Sequence, residues 1–417
     1  MNTGIAIWRG RALAFGGILL FAFSLRSAVA SLSPVVDYIQ RDFSLPTVVV
    51  GLIGTAPPVC YAIFAMLTPE LERRLGLERL SVIAMAVAAL GLLARGLAQD
   101  STILLGTTAL IFSAVGVGNV VLPPLVRRYF PDRVGLMTAL YSLTMALSTL
   151  LPPLIAVPVA DAAGWRFSLA MWSVFAVAAM VPWIAMLLRE RAAPRANIPA
   201  VSTETGSIEV ISPRVLGRMW RLPMAWAIMT VFAVSGVFAY TSFAWMPEIL
   251  TDRAEVTPAA AGALLSLFAA MGLPASLLVP LLAVRFRAVR ALVGISVGGG
   301  MAGLAGLLWA PGVVPWLWIA LLGFAPLLFP MSLVLLGLRT RSHEGAVALS
   351  GFVQSVGYAV AAVFPAGFGI LHSVTGSWSG TLIVLAVVLL CAAPAGLVAS
   401  RQITIEDQWE RRHGPWA

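Results

Sequence analysis

Few side chains in this 417-residue chain can do chemistry where they stand, and the most consequential of them is Arg26. It interrupts an apolar run from Arg11 to Tyr38, RALAFGGILLFAFSLRSAVASLSPVVDY. At 1.5 Å rise per residue a helix over this run exceeds the ~30 Å hydrocarbon core of a bilayer, which puts Arg26 near mid-membrane. A cation there costs roughly 2.5 to 3.5 kcal/mol on insertion scales and roughly 10 to 17 on an isolated helix in simulations, so it faces a bundle interior or a watery cavity. Arginine stays protonated and presents a planar fork of donors. Its natural partner is a small anion or an electron-rich planar group. The structural alternative is an arginine bonded to helix carbonyls.

Other chemistries find little to work with. Cys60 and Cys391 both fall inside apolar runs, so no disulfide framework is indicated. His343, His372 and His413 are scattered, and no Cys/His pair has metal-ligand spacing, which argues against a metalloenzyme. Paired carboxylates, a nucleophile with a base and a phosphate-binding Gly loop are absent from the middles of the apolar runs, and no ATP-binding motif appears. The expectation is a protein that is not an enzyme and uses neither cofactor nor metal.

The elements that must position Arg26 are set by composition. The chain is 60% hydrophobic and 11% charged, with a mean hydropathy of +0.94, far from the soluble average. It reads as an all-α polytopic membrane protein. The net charge of +9 does not indicate nucleic acid, because every basic residue is Arg and nearly all lie between apolar runs as membrane-flanking charges. Arg9, Arg11 and Ala28-Val29-Ala30 imitate a secretory signal, but Arg26 precedes that site and the apolar run resumes beyond it, so the stretch is kept as a first span.

Apolar runs recur about twelve times: 11–38, 46–68, 80–98, 101–129, 135–160 and 166–188, then 223–250, 258–284, 289–310, 314–338, 345–373 and 378–400. The domains expected are a first six-helix bundle at 1–190, a polar linker at 191–222 containing Pro194, Pro199 and Pro213, a second bundle at 223–400 and a tail at 401–417. With both termini inside, most arginines collect on the cytoplasmic side and only Arg41, Arg95, Arg166 and Arg253 on the other, which is the positive-inside pattern. The halves echo one another. Asp42 and Asp252 lie 210 positions apart, as do Gly135 and Gly345. Two six-span halves on a polar linker is the layout of parallel-repeat transporters, whose substrate site lies near the midplane between the repeats.

This layout resembles the major facilitator superfamily. LRSAVASLSPVVDYI in the first span, GVGNVVLPPLVRRYFPDRVGLMTALYS across the fourth and fifth, and SGFVQSVGYAVAA with TGSW near the end are similar to its cyanate and 2-nitroimidazole transporter family. In PELERRLGLER, Leu71, Arg74 and Gly76 fit the superfamily signature between the second and third spans, whereas Pro69 replaces the usual Gly and Arg73 the usual Asp. The usual gating salt bridge of that loop is therefore in question.

The resemblance implies that the first, fourth, seventh and tenth spans line the substrate cavity. Asn119, in an otherwise apolar run of the fourth, can donate to and accept from a ligand, or glue helices together. Gly116 and Gly118 read as close-packing positions. In the seventh span Tyr240 is placed to stack on or bond to a planar substrate, or to pack as core, while Trp245 reads as an interfacial anchor. Gln354 and Tyr358, four apart in the eleventh span, share a helix face, and the likeness of GFVQSVGY to the family favours a substrate role. Tyr141 in the fifth span is a further candidate.

The function expected is a secondary transporter moving a small, cyanate-like anion or compact polar solute by alternating access, with Arg26 as the central substrate-binding cation. Two alternatives stay open: an exporter of nitroimidazole-like or other drug-like compounds, and a transport-fold receptor or membrane enzyme. The partners expected are that small-molecule or anion substrate and membrane lipid, with no nucleic acid, in a monomer of the bacterial inner membrane with both termini cytoplasmic.

Overall fold

The computed structural model describes residues 11–192 and 217–416. Pro194, Pro199 and Pro213 of the expected linker lie outside the described residues. Among these there is no strand, and twelve helices or helix pairs are long and apolar enough to cross a membrane.

By compactness the chain falls into two units, one of residues 1–49 and 60–203, the other of residues 50–59 and 204–417. In the first, α1 (Ala12–Ala30) is followed by a 3₁₀ turn at Ser33–Val35 and the short α2 (Val36–Gln40). The run 11–38 is therefore not one helix. Pro34 has no N–H to give to the Ala30 carbonyl, so the α-helical ladder of α1 stops at Ala30 and the chain continues in the tighter 3₁₀ turn. Arg26 consequently stands four residues, ~6 Å, from the end of its helix rather than near the middle.

The unit continues through α3 (Thr47–Leu75), α4 (Leu77–Gly96), α5 (Ser101–Tyr129), α6 (Val134–Ala163), α7 (Trp165–Ala170) and α8 (Ser173–Ala192). Between α3 and α4, Gly76 takes φ +79°, a left-handed conformation that explains why PELERRLGLER needs glycine there. Asp100 caps α5 by accepting from the Ile103 N–H at 2.8 Å. α1 packs on α6 and α8, and α4 on α5 and α8. The approach of α5 to α1 is close: a Cβ at Gly118 would meet Leu25 Cδ2 at 2.5 Å and Phe21 at 3.0 Å. Pro123-Pro124 and Pro152-Pro153 sit inside unbroken helices, where packed neighbours accommodate the lost bonds.

The second unit is built on α9 (Pro223–Ala254), whose span is 83% buried. Around it come α10 (Pro258–Ala270), α11 (Gly272–Arg285), α12 (Val289–Trp309), α13 (Pro315–Leu322), α14 (Leu328–Leu338), α15 (His343–Thr375) and α16 (Ser379–Ala399). α9 packs most extensively on α15 and α16, and a Cβ at Gly357 would meet Phe232 at 2.5 Å. Trp245, expected at an interface, is instead 0% exposed: its indole donates to the Pro365 carbonyl at 2.8 Å, a bond that requires it to face α15. Residues 50–59 of α3 belong to this unit by contact, with Thr55 donating to the Ala362 carbonyl at 2.8 Å.

The polar tail forms a further helix, α17 (Ile405–His413), opened by a capping box between Thr404 and Asp407. Glu406, 0% exposed, accepts from the Arg341 and Ser342 N–H groups at 3.0 Å each and from the Ser342 hydroxyl at 2.9 Å. Arg341 pairs with Asp407 and Glu410, and Arg218 lies over the rings of Trp409 and Trp416. The tail is thereby docked onto the start of α15 and the segment that leads into α9.

Candidate functional site

In the first unit the candidates are distributed over α1, α5 and α6. The burial of α1 alternates with the helical repeat. Phe21, Leu25, Ala28 and the serines at 24, 27 and 31 are fully buried, whereas Phe15, Leu19, Phe23, Arg26 and Val29 form a half-buried stripe. Arg26 therefore projects from the less enclosed side of a membrane-spanning helix. Asn119 is half-buried on α5, one residue after the glycine against which Leu25 and Phe21 rest. The chain neighbours of Arg26 and of Asn119 thus meet directly. Tyr141 is half-buried on α6.

In the second unit Tyr240 on α9 and Tyr358 on α15 come together, their rings edge to face at 6.4 Å. Tyr358 also meets Phe232 edge to face at 4.9 Å, so its ring is held from two sides by α9. Gln354 is half-buried and its amide donates to the Ser350 hydroxyl at 2.7 Å, one turn back on the same helix. That bond engages one of its donors and leaves the amide carbonyl to another partner.

Charged groups missed by sequence reasoning organise the ends of the helices. Glu78, at the start of α4 and 5% exposed, accepts from the Tyr129 hydroxyl at 2.5 Å and pairs with Arg128 at 3.2 Å. Arg11 pairs with Asp132 at 2.6 Å, and this contact holds the Asp132 carboxyl below the usual carboxylate range. In the PELERRLGLER loop both Arg73 and Arg74 pair locally with Glu70, at 2.6 and 2.5 Å. Arg95, expected as a flanking charge, is 1% exposed and donates to the Ala28 carbonyl of α1 at 2.9 Å. Apart from the local Glu70 pairs, only the family signature around residues 69–79 hinted at any of these, because the other partners lie tens of residues apart.

The second unit also gathers Glu248, Asp252 and His372, whose possible ligand atoms lie within 4.8 Å of one another. More than a hundred residues separate His372 from the acids, so spacing along the chain could not reveal the cluster. Asp252 accepts from the Trp378 indole at 3.0 Å, and His372 stacks on the same ring at 3.9 Å.

In the first unit an arginine and an amide, and in the second a pair of tyrosines, are groups of the kind that can bind a small solute, and among the described residues neither set is joined by a nucleophile with a base or by a phosphate cradle. Comparison with known proteins agrees. The model of the Major Facilitator Superfamily matches residues 18–362. The 2-nitroimidazole transporter of Escherichia coli (strain K12) is 31% identical over 395 residues, covering 94% of this chain and 96% of that protein. The cyanate transport protein CynX of the same organism is 25% identical over 369 residues, covering 87% and 90%. Among solved structures, a bacterial homologue of the human lysosomal transporter Spinster, inward-facing and unoccupied, shares the fold at 15% identity with a TM-score of 0.71, over 96% of this chain and 98% of that one. With twelve apolar spans and a family match over most of its length, the chain belongs to the major facilitator superfamily and is a multi-pass membrane transporter of small molecules.

Proposed function

We propose that the chain carries a small monovalent anion of the cyanate class, or a comparably compact polar solute, by alternating access, and that Arg26 is its principal contact. The observation that supports this reading most is the position of Arg26 on the half-buried stripe of α1, within an apolar span. Within the first unit Asn119 offers hydrogen bonds, and within the second the Tyr240–Tyr358 pair offers ring faces, each suited to a planar solute. Gln354 and Tyr141 are the outer candidates.

A second reading is export of nitroimidazole-like compounds. It is favoured by the higher identity of the 2-nitroimidazole transporter, 31% against 25% for the cyanate transport protein. A nitro group is electron-rich and planar, so the same guanidinium serves either cargo.

The arginine distribution supports a placement in the bacterial inner membrane with both termini cytoplasmic, the two bundles divided at residues 191–222. The functional form is a monomer in contact with lipid. Uptake and efflux by proteoliposomes, measured with a panel of small anions and nitroimidazoles, test the reading. Transport of cyanate and its isosteres supports it. Transport of nitroimidazoles alone replaces it by the second.

A further inference from the structure

Four buried donors lie on or against the last turns of α1, and among the described residues none of the four polar atoms has a hydrogen-bond partner. Ser27 and Ser31 are four apart, hence on one face, and both are 0% exposed. Their hydroxyls reach no partner, whereas Ser24, one turn earlier on the same face, donates to the Leu20 carbonyl at 2.9 Å. Between them in the chain lies Ala28, whose carbonyl receives Nη1 of Arg95 at 2.9 Å. Nε of that same guanidinium is buried and has no partner, and no carboxylate among the described residues pairs with Arg95. The fourth donor is Nε1 of Trp172, 2% exposed, whose ring stacks at 6.3 Å on Phe23, one turn before Ser27.

Unpartnered donors on the turns of α1 that Arg95 touches, with no carboxylate pairing with Arg95, define the chemistry of what belongs there. A buried charge needs an opposite charge or a full set of hydrogen bonds, and buried polar groups left unpaired signal an ion or an ordered water. An arginine N–H, two hydroxyls and an indole N–H are all hydrogen-bond donors in this arrangement. They match a small anion that accepts from every direction and carries the charge Arg95 lacks.

We propose that Arg95, Ser27, Ser31 and Trp172 hold a small monovalent inorganic anion of the chloride class at the C-terminal end of α1. The site is separate from the transport pathway. Ser27 and Ser31 follow Arg26 by one and five positions, about 100° and about 140° round the helix at 3.6 residues per turn, and all four residues of the anion site are at most 2% exposed, whereas Arg26 is half-buried. The ion is a fixed part of the fold. It ties α4 to the last turn of the helix that carries Arg26, so chloride sets the position of Arg26 without being cargo.

The test uses the purified full-length protein in sodium chloride and in sodium gluconate at equal ionic strength. Wild type should show a saturable rise in thermal unfolding midpoint with chloride, matched by bromide. Ser27→Ala with Ser31→Ala should raise the half-saturating chloride concentration at least tenfold while leaving the midpoint in gluconate nearly unchanged. Arg95→Met should abolish the chloride response if it folds, and the serine double variant carries the test if it does not. A bromide derivative crystal should show anomalous density beside Arg95. Absence of any chloride dependence would mean that water fills the place, and an equal dependence in wild type and the serine variant would mean non-specific salt action. Either result overturns the proposal, as does bromide density found only elsewhere.

Discussion

Trp165 donates its indole N–H to Asp42 at 2.9 Å, and the same bond recurs in the second unit, where Trp378 donates to Asp252 at 3.0 Å. Asp42 and Asp252 are the residues whose 210-position offset first suggested a repeat. The repeat thus recurs in structure: Asp42, just past α2, and Asp252, in the last turn of α9, each pin the end of their unit's first span to the start of its last span. The units differ in the cation. Arg166 pairs with Asp42, whereas Arg253 reaches the Leu308 carbonyl at 2.8 Å and Ser379 at 2.6 Å.

A pH dependence follows. The bond from Trp165, reinforced by Arg166, holds the Asp42 carboxyl below its ordinary value, and Arg11 does the same for Asp132. A carboxyl depressed in the folded state contributes stability that is fully present above its unfolded pKa of about 4 and is lost as pH falls through the folded pKa. Thermal unfolding midpoints should therefore be flat from neutral pH to about 5 and fall below about 4. Asp42→Asn should flatten part of that acid limb. An unchanged limb in Asp42→Asn with Asp132→Asn would remove these contacts from the account.

Docking of the tail gives the second prediction. Glu406→Ala strands two backbone N–H groups and one hydroxyl at the start of α15. Each buried donor left unpaired costs about 1 to 3 kcal/mol. The variant should unfold at least several degrees lower, with Glu406→Gln intermediate, as read by thermal unfolding in detergent. Equal midpoints for all three proteins would show that the tail does not stabilise the second unit.

The contrast between what the chain announced and what it concealed has a physical cause. Hydropathy and charge are local, so the twelve spans, the repeat and the family strings were legible. Where helices end and what their polar groups touch depends on partners far away in sequence. Arg95 looked like a flanking charge because nothing near residue 95 reveals that it reaches Ala28. Trp245 looked interfacial because aromatic belts are the commoner fate of such a residue, yet the Pro365 carbonyl claimed it. Of the candidate binding residues, Tyr240 and Tyr358 are legible only separately, and only folding shows that they touch.

Substrate contact is the third prediction. Asn119→Ala and Tyr358→Phe should each weaken apparent substrate affinity by about 1.5 to 3 kcal/mol if they hydrogen-bond a charged solute. Yield and unfolding midpoint should change little. Ligand-dependent thermal shift reads both quantities at once, and undiminished shifts in both variants would exclude these residues from the site.

Energy coupling is the fourth. The acids of the described spans lie toward helix ends, Glu78 and Glu344 in first turns and Asp161 and Glu248 near last ones. A proton-coupled carrier keeps a titratable group inside its pathway. Inward movement of a monovalent anion is opposed by ~2.3 kcal/mol per 100 mV of inside-negative potential. Facilitated or exchange transport is therefore expected. With a non-titrating substrate and clamped voltage, an imposed pH gradient should produce no accumulation in proteoliposomes, and sustained accumulation would reveal a protein group that carries the proton.

The central claim is that the guanidinium of Arg26 binds the substrate, and initial rates of cyanate uptake into proteoliposomes containing equal amounts of folded wild type, Arg26→Ala and Arg26→Lys test it most directly. Arg26→Ala should be inactive and Arg26→Lys severely impaired, because an ammonium lacks the planar two-pronged donor set, while both variants keep wild-type unfolding midpoints. Wild-type rates in both variants would contradict the claim and make Arg26 a structural residue of α1.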